Sequence, residues 1–362
     1  MSEMRLVLVI LLSVLAVLFV AGVILWLRSP GAPPPLRGGD GRQVPGSLSE
    51  RVTVEIGGVP QGMIIQSIDP ANPVLLFLHG GPGMPEYFLE ATHPAGLEQD
   101  FTVVWWEQRG AGMSWSPDLR AQDLTVDRMI RDTIEVADYL RDRFGQERIY
   151  LLGHSWGSFL GVQVAAQALD RFHAYIGMAQ VVHQLRSEIM ARDAMLAAYG
   201  NRGEMRMVRR LEAAPISVEN GMSDAYLRLR DAATHRLGGG TTRDMRSVIT
   251  GVFLPILGLP IYTLREKIDL WRGKAWSRGI LWEEILRTDL SATVTRVQVP
   301  VYFLVGAHDL TAMPELSRRY FDVIEAPRKA YYVFENSAHS PLFEEPGRGR
   351  QVLLSIVEEQ NN

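Results

Sequence analysis

Cysteine is absent from this sequence of 362 residues. The absence excludes disulfide bonds, a thiolate nucleophile and cysteine-ligated metals, although a chain without cysteine suits oxidising and reducing compartments equally. The histidines show no paired spacing of the H-x-x-x-H kind, so we expect no metal site. No cofactor-binding fingerprint occurs either, and we expect a protein that works without a cofactor.

A strong excess of charge of one sign is also missing. Lysine and arginine together number 37, aspartate and glutamate 41, and the formal net charge is -4. Without a broad basic field, nucleic acid is not expected as a partner. Apolar residues make up 47% of the chain, which is enough to bury the core of one large domain or two modest ones.

One long uncharged run lies near the amino end. Residues 6–27 are apolar except for Ser13 and Gly22, and their number matches the roughly 20 residues that a bilayer requires. We therefore expect a transmembrane helix over 6–27, which anchors the protein to a lipid bilayer by a single pass. A cleaved signal peptide and a buried core helix are the alternatives, and the length of the run counts against a signal peptide. Arginines on both sides leave the orientation in the membrane open.

Residues 28–50 are rich in proline and glycine. Such a composition predicts a linker between the membrane segment and a folded domain, a tether that does not pack.

The next part of the sequence predicts a sheet. Residues 51–56 and 62–68 read as paired edge strands. Later runs are apolar at nearly every position, as in strands covered by helices on both faces, and they lie at 74–78, 101–106, 149–152, 174–178 and 301–305. Helical patterns separate some of these strands, so we expect an α/β fold with a mostly parallel sheet and an active site at the carboxyl ends of its strands.

Residues 182–296 interrupt this alternation. Helix-like segments occur there at 188–199, 222–233 and 282–288. We expect an inserted helical cap, which divides the core domain into a first part, 51–181, and a second part, 297–362.

The sequence G-H-S-W-G at residues 153–157 directly follows the predicted strand 149–152 and precedes a helix-compatible run. This is the context of a nucleophile elbow, a sharp strand-to-helix turn that exposes a serine hydroxyl and requires small neighbours. Ser155 is therefore the predicted nucleophile. The Trp156 N–H, at the start of the helix, is a predicted donor to the oxyanion of an acyl-transfer intermediate.

Two more predicted strands end in residues that complete a catalytic triad. Asp309 follows strand 301–305, and His339 follows the apolar run 331–334. The chain order serine, aspartate, histidine is the order in α/β-hydrolase enzymes. His339 would take the proton of the serine, and Asp309 would orient the imidazole and stabilise its charged form.

A loop of sequence H-G-G-P-G at residues 79–83 follows strand 74–78. Glycine lets the backbone approach a substrate closely, so the Gly81 N–H is the second predicted oxyanion donor. We expect His79 to hydrogen-bond this loop and His154 to support the site without acting as a base.

Together with W-E-Q-R-G-A-G-M-S at residues 106–114, these segments resemble α/β-hydrolases of the proline iminopeptidase group, from about residue 52 to the carboxyl end. The resemblance implies an α/β-hydrolase fold and a structural role for Arg109. The chain departs from the group at Glu107, where aspartate is usual, and at His154, where glycine is usual. The resemblance also implies that carboxylates of the cap bind a substrate amino group. The candidates in this chain include Glu188, Asp193, Glu204 and Glu219.

The expected activity is that of a serine hydrolase, which cleaves an ester or amide bond of a small-molecule or peptide substrate through an acyl-enzyme. The resemblance suggests a proline iminopeptidase-like aminopeptidase. A membrane-associated carboxylesterase or lipase is the first alternative. A binding protein that keeps the fold without catalysis is the second.

Overall fold

The computed structural model describes residues 3–361 of the chain. Its strands are β1 (Leu48–Ile56), β2 (Val59–Ser67), β3 (Val74–Leu78), β4 (Thr102–Trp106), β5 (Ile149–His154), β6 (Phe172–Met178), β7 (Ile216–Ser217), β8 (Gly221–Met222), β9 (Val301–Gly306) and β10 (Lys329–Phe334). Its α-helices are α1 (Glu3–Leu27), α2 (Tyr87–Thr92), α3 (Val126–Phe144), α4 (Trp156–Gln167), α5 (Gln184–Asn201), α6 (Met205–Glu212), α7 (Asp224–Leu237), α8 (Leu254–Gly258), α9 (Leu264–Arg287), α10 (Leu290–Thr293), α11 (Pro314–Val323), α12 (Pro341–Glu344) and α13 (Pro346–Asn361).

The central sheet has eight strands in the order β1-β2-β4-β3-β5-β6-β9-β10. β2 pairs antiparallel with β1 and with β4, and the other neighbours are parallel. The predicted α/β fold with a mostly parallel sheet is confirmed. Of the two strands expected at the edge, β1 lies there and β2 lies one position inward.

Strand β3 shows why the central strands are apolar at every position. Leu76 and Leu78 belong to a core cluster that includes residues of α3 and α4, whereas Leu75 and Phe77 belong to a cluster on the other face with residues of α12 and α13. Successive side chains of a strand point to opposite faces, and helices cover both faces here. The strand is therefore buried along its whole length.

Helix α3 has sequence signals at both ends. The Thr125 hydroxyl accepts a hydrogen bond from the Arg128 N–H at 3.1 Å, and Gly145 ends the helix with φ +63°. An N-cap hydroxyl and a left-handed glycine satisfy backbone groups that a helix end leaves free.

The amino-terminal helix α1 is exposed along its length. Residues Met4–Leu27 form an apolar stretch that is long enough to cross a membrane, and none of it is buried against the rest of the protein. An apolar helix of this length near the amino end is found in membrane anchors and in signal sequences.

The expectation that the proline-rich linker does not pack is wrong for its first residues. The Gly31 and Ala32 N–H groups donate to the Pro260 carbonyl at 3.0 and 3.2 Å. Lys267 of α9 is 1% exposed, and its Nζ donates to the Ser29 hydroxyl at 2.8 Å. Proline and glycine prevent a helix here but do not prevent extended chain from docking on its neighbours.

Helices α5 to α10 lie between β6 and β9, where the cap was expected. The segment predicted at 188–199 lies within α5, and the one predicted at 222–233 overlaps α7 except for Met222, which belongs to β8, and Ser223, which caps the helix. The segment predicted at 282–288 is only the end of α9, which begins at a capping box made by Thr263 and Glu266. The start of α9 was missed because charged and apolar residues alternate there without a clear apolar stripe.

Candidate active site

The strand-to-helix turn between β5 and α4 holds Ser155 at φ +54° and ψ -118°. This conformation is uncommon for a residue with a side chain, and it is retained where the surroundings enforce it. A Cβ on Gly157 would lie 1.9 Å from the Leu78 carbonyl oxygen, and one on Gly153 would lie 2.2 Å from that of Gly157. The glycines of the motif are thus required by the close approach of β3, β5 and α4.

Asp309 and His339 meet beyond the ends of β9 and β10. The His339 Nδ1 lies 2.8 Å from Asp309 Oδ2, and both residues are buried. The other carboxylate oxygen, Oδ1, accepts from the N–H groups of Thr311 at 2.7 Å and Ala312 at 3.0 Å. Because the carboxylate occupies Nδ1, Nε2 is the ring nitrogen of His339 that remains for another partner.

A pocket of about 180 Å³ lies between this edge of the sheet and the helices that follow β6. Ser155, Trp156, His339 and Gly81 all line it. Trp156 is the first residue of α4, so its N–H has no acceptor within the helix. Gly81, at φ +120°, has no acceptor for its N–H among the described residues 3–361. The structure thus brings four of the five predicted site residues to one pocket, with Asp309 behind His339.

Glu86 and His154 form a buried pair that connects three parts of this site. Glu86 Oε2 accepts from the Gly80 N–H at 2.8 Å and lies 2.8 Å from His154 Nδ1. His154 Nε2 lies 2.8 Å from the His339 carbonyl oxygen, to which it must donate. One carboxylate therefore holds the glycine loop and, through His154, the segment that carries His339.

The charges of this pair support each other. Burial disfavours the charged form of each group, but the attraction between them outweighs it. The pKa of Glu86 is lowered and the pKa of His154 is raised. Sequence reasoning gave His154 a supporting role but missed Glu86, which no motif distinguishes from other acidic residues.

His79 hydrogen-bonds the glycine loop, as predicted. Its Nδ1 lies 2.8 Å from the Gly80 carbonyl oxygen, and its Nε2 accepts from the Gln108 N–H at 3.1 Å. Because Nδ1 donates and Nε2 accepts, the ring of His79 is neutral. Burial lowers the pKa of His79, which favours this neutral form. The Gln108 side chain accepts from Trp156 Nε1 at 2.8 Å, which connects the glycine loop to the elbow.

Arg109 and Glu107 lie beneath the site. The buried Arg109 donates to both carboxylate oxygens of Asp132 at 2.6 and 3.1 Å, in agreement with a structural role. Glu107 accepts hydrogen bonds from the Tyr262 hydroxyl and the Met113 N–H. Burial raises the pKa of Glu107 to about 7.

The four cap carboxylates named from the sequence do not line the pocket. Glu188 is fully buried and paired with Arg230, at 2.7 Å from Nε to each oxygen. Asp193 forms an ion pair with Arg192 and Glu204 with Arg236, and Glu219 is exposed. The carboxylates that line the pocket are those of Glu86 and Asp231.

Within residues 3–361, no group of three or more histidine, aspartate or glutamate side chains is arranged to hold a metal ion.

The chain belongs to the α/β hydrolase fold family, whose model matches residues 73–346. Its curated relatives include a probable aminopeptidase and proline iminopeptidases, so the protein is a hydrolase enzyme, and its family suggests small-molecule or peptide substrates.

Two curated relatives are similar over most of their length. The chain is 35% identical to the probable aminopeptidase YbaC of Bacillus subtilis (strain 168) over 302 residues, which cover 83% of this chain and 93% of the relative. It is 25% identical to the proline iminopeptidase of Heyndrickxia coagulans over 290 residues, which cover 76% and 86%. The predicted resemblance to the proline iminopeptidase group is confirmed.

Solved structures share the fold. A membrane phospholipase A described as a bacterial virulence factor has a TM-score of 0.61 at 18% identity and covers both chains completely. A proline iminopeptidase-related protein from Thermus thermophilus has a TM-score of 0.58 at 23% identity, over 86% of this chain and 98% of that one.

Proposed function

We propose that the protein is a serine hydrolase in which Ser155, His339 and Asp309 form the catalytic triad. The observation that carries the proposal is the 2.8 Å contact between His339 Nδ1 and Asp309 Oδ2, at a pocket that Ser155 and His339 both line. A serine at its ordinary pKa is a weak nucleophile, and an imidazole held by a carboxylate is the group that activates it.

The proposed reaction has two stages. Ser155 Oγ attacks the carbonyl carbon of an ester or amide while His339 Nε2 takes its proton, and the N–H groups of Gly81 and Trp156 stabilise the oxyanion. His339 then gives the proton to the leaving alcohol or amine, and an acyl-enzyme remains. A water molecule that His339 deprotonates hydrolyses this ester and restores the serine.

For the substrate, we propose an aminopeptidase that accepts a free amino group next to the scissile bond. The 35% identical relative is named a probable aminopeptidase. A suitable carboxylate is also present, because Glu86 lines the pocket and lies close to the nucleophile. A Cβ on Gly80 would lie 2.6 Å from Glu86 Oε1 and 3.2 Å from Ser155 Cβ. In this proposal the amine is bound by the core domain, because the cap carboxylates named from the sequence lie elsewhere.

The second candidate is a membrane-associated carboxylesterase or lipase. It is favoured by the exposed apolar helix Met4–Leu27, which we propose as a single-pass anchor, and by the fold likeness to a membrane phospholipase A. With the helix in a bilayer, a linker of about twenty residues would keep the hydrolase domain close to lipid. We further propose that residues 51–181 and 297–362 form this domain and that residues 182–296 form its cap.

The test compares amides and esters on a protein that begins at residue 29, so that the docked linker is kept. Proline and alanine p-nitroanilides and p-nitrophenyl butyrate are assayed with the wild-type sequence and with Ser155→Ala. Amide hydrolysis that is lost in the variant supports the aminopeptidase, and ester hydrolysis alone supports the carboxylesterase. Failure to hydrolyse any of them, with no reaction toward a fluorophosphonate probe, would leave the non-catalytic binding protein.

A further inference from the structure

The cap side of the pocket is formed by α7 and α9, which contribute several charged side chains. Arg230, Asp231 and His235 line it from α7, and Lys274 and Arg278 line it from α9. Lys274 and Arg278 are four residues apart and therefore lie on the same face of their helix.

Arg230 is paired with Asp231 of this wall and with the buried Glu188, which does not line the pocket. Arg230 Nε lies 2.7 Å from both oxygens of Glu188, and Arg230 Nη1 lies 2.9 Å from Asp231 Oδ1. Glu188 also accepts hydrogen bonds from Gln184 at 2.9 Å and from the Tyr226 hydroxyl at 3.0 Å. Arg230 thus bonds both oxygens of Glu188 and one oxygen of Asp231.

Lys274 and Arg278 have no such partner. Within residues 3–361, neither side chain forms an ion pair or a hydrogen bond. Each lies over an aromatic ring instead, Lys274 Nζ at 5.1 Å from the centre of Trp271 and Arg278 Cζ at 4.8 Å from the centre of Trp282. Burial lowers the pKa of Lys274, although the charge of Asp231 opposes this effect, and the nearby Arg278 lowers the pKa further.

The charges of the wall and of Glu188 next to it therefore do not balance. Three cations, Arg230, Lys274 and Arg278, stand against the two carboxylates Glu188 and Asp231. Lys274 is half-buried, whereas Arg278 is exposed at the edge of the pocket. A half-buried cation without a close counter-ion is unfavourable, and a ligand of opposite charge relieves this cost.

One more polar atom of the wall has no partner among the described residues. His235 is 5% exposed, and its Nδ1 donates to the Asp231 carbonyl at 2.6 Å, whereas its Nε2 is buried without a hydrogen bond. This nitrogen accepts a hydrogen bond when the ring is neutral and donates one when the ring is protonated. His235 thus adds one polar atom without a partner to this wall.

We infer that the cap wall binds an anionic group of the substrate, a carboxylate or a phosphate, at Lys274 and Arg278 and away from the scissile bond. The inference rests on the proposed serine hydrolase, since it places the anion on the substrate of Ser155. The inference adds the requirement that the substrate carries an anionic group, which an amine-binding pocket alone would not impose. A short peptide with a free carboxyl end and an ester with an acidic group both meet it.

The experiment uses two esters of equal chain length, p-nitrophenyl valerate and the p-nitrophenyl monoester of glutarate, which ends in a carboxylate. We expect the wild-type protein to prefer the glutarate ester in kcat/KM. In the double variant Lys274→Met, Arg278→Met, this value should fall about 10-fold or more, as expected for the loss of charge-assisted hydrogen bonds. Turnover of the valerate ester should stay within about two-fold, which also shows that the variant is folded.

The matched control is Arg265→Gln on the same helix. Arg265 is 79% exposed, and its partner Asp269 keeps a second ion pair with Arg272 at 3.1 Å. The kcat/KM of the Arg265→Gln variant for each ester should equal that of the wild type.

The nature of the anion follows from inhibition of valerate turnover by free glutarate and by glycerol phosphate. Competition by either one that disappears in the double variant supports the site and identifies the carboxylate or the phosphate. Equal use of the two esters by the wild type, or an equal loss of both in the double variant, would overturn the anion site. Absence of all ester turnover and of fluorophosphonate labelling would instead overturn the proposed function.

Discussion

Replacement of Glu86 by glutamine should reduce catalysis while it leaves the size of the side chain unchanged. The carboxylate oxygen Oε2 serves two partners, the Gly80 N–H and His154 Nδ1. Without the negative charge nearby, His154 becomes neutral, and its one remaining proton is needed at Nε2 for the His339 carbonyl. His154 Nδ1 is then an acceptor.

An amide cannot satisfy both partners in this position. If its oxygen faces the Gly80 N–H, the same oxygen meets the lone pair of His154 Nδ1. If its NH₂ group takes this position and donates to His154 Nδ1, it also faces the Gly80 N–H, and two donors then oppose each other. Either placement loses one buried hydrogen bond, which costs about 1–3 kcal/mol. Expressed fully in the barrier, this loss lowers kcat about 5- to 150-fold.

The assay is steady-state hydrolysis of p-nitrophenyl butyrate, together with urea unfolding to show that the variant is folded. We expect the decrease to appear in kcat with little change in KM, because the loop and the His339 segment act on the transition state. Glu90→Gln is the matched control, since Glu90 bonds the Ala95 and Gly96 N–H groups and does not line the pocket. A kcat for Glu86→Gln within two-fold of the wild type would refute the positioning role.

Three further outcomes follow from the packing. Gly157→Ala should lose about 3 kcal/mol or more of folding free energy because of its backbone clash, whereas Gly200→Ala, with no atom within 4 Å of the new Cβ, should not be destabilised in thermal unfolding. The pKa of Glu107 is raised from 4.5 to about 7, so the folded state holds this proton more tightly. The free energy of unfolding, measured with urea, should therefore fall as the pH rises from 4.5 through 7, and this group should contribute about 3 kcal/mol to the decrease. In Glu107→Gln the free energy of unfolding should depend less on pH over this range. A protein that begins at Ser49 should melt at a lower temperature than one that begins at residue 29, because Lys267 loses its Ser29 partner.

The fold and the site motifs were predictable because they depend on local patterns. A strand such as β3 is apolar at every position only when both faces are covered, and the spacing of glycines around Ser155 reflects contacts within one turn. The placing of Asp309 and His339 after strands then follows from the rule that parallel strands present their carboxyl ends at one edge.

The pocket wall could not be predicted in the same way. Whether an acidic residue of the cap faces substrate or an internal arginine depends on how helices cross, and Glu188 is bonded to Arg230, 42 residues further along the chain. Glu86 gave no signal, since its partners His154 and Gly80 become neighbours only in the folded sheet. The docking of Ser29 was not predicted because a composition rich in proline and glycine indicates that helices and strands are absent. It does not indicate whether the extended chain contacts the folded domain.

The proposed triad is tested most directly by the identity of the residue that forms the covalent intermediate. A fluorophosphonate reacts with an activated serine, and mass spectrometry of the digested protein locates the adduct. We predict one adduct, on Ser155, that is absent from Ser155→Ala and much slower to form in His339→Ala. An adduct on another residue, or none on a folded wild-type protein, would contradict it.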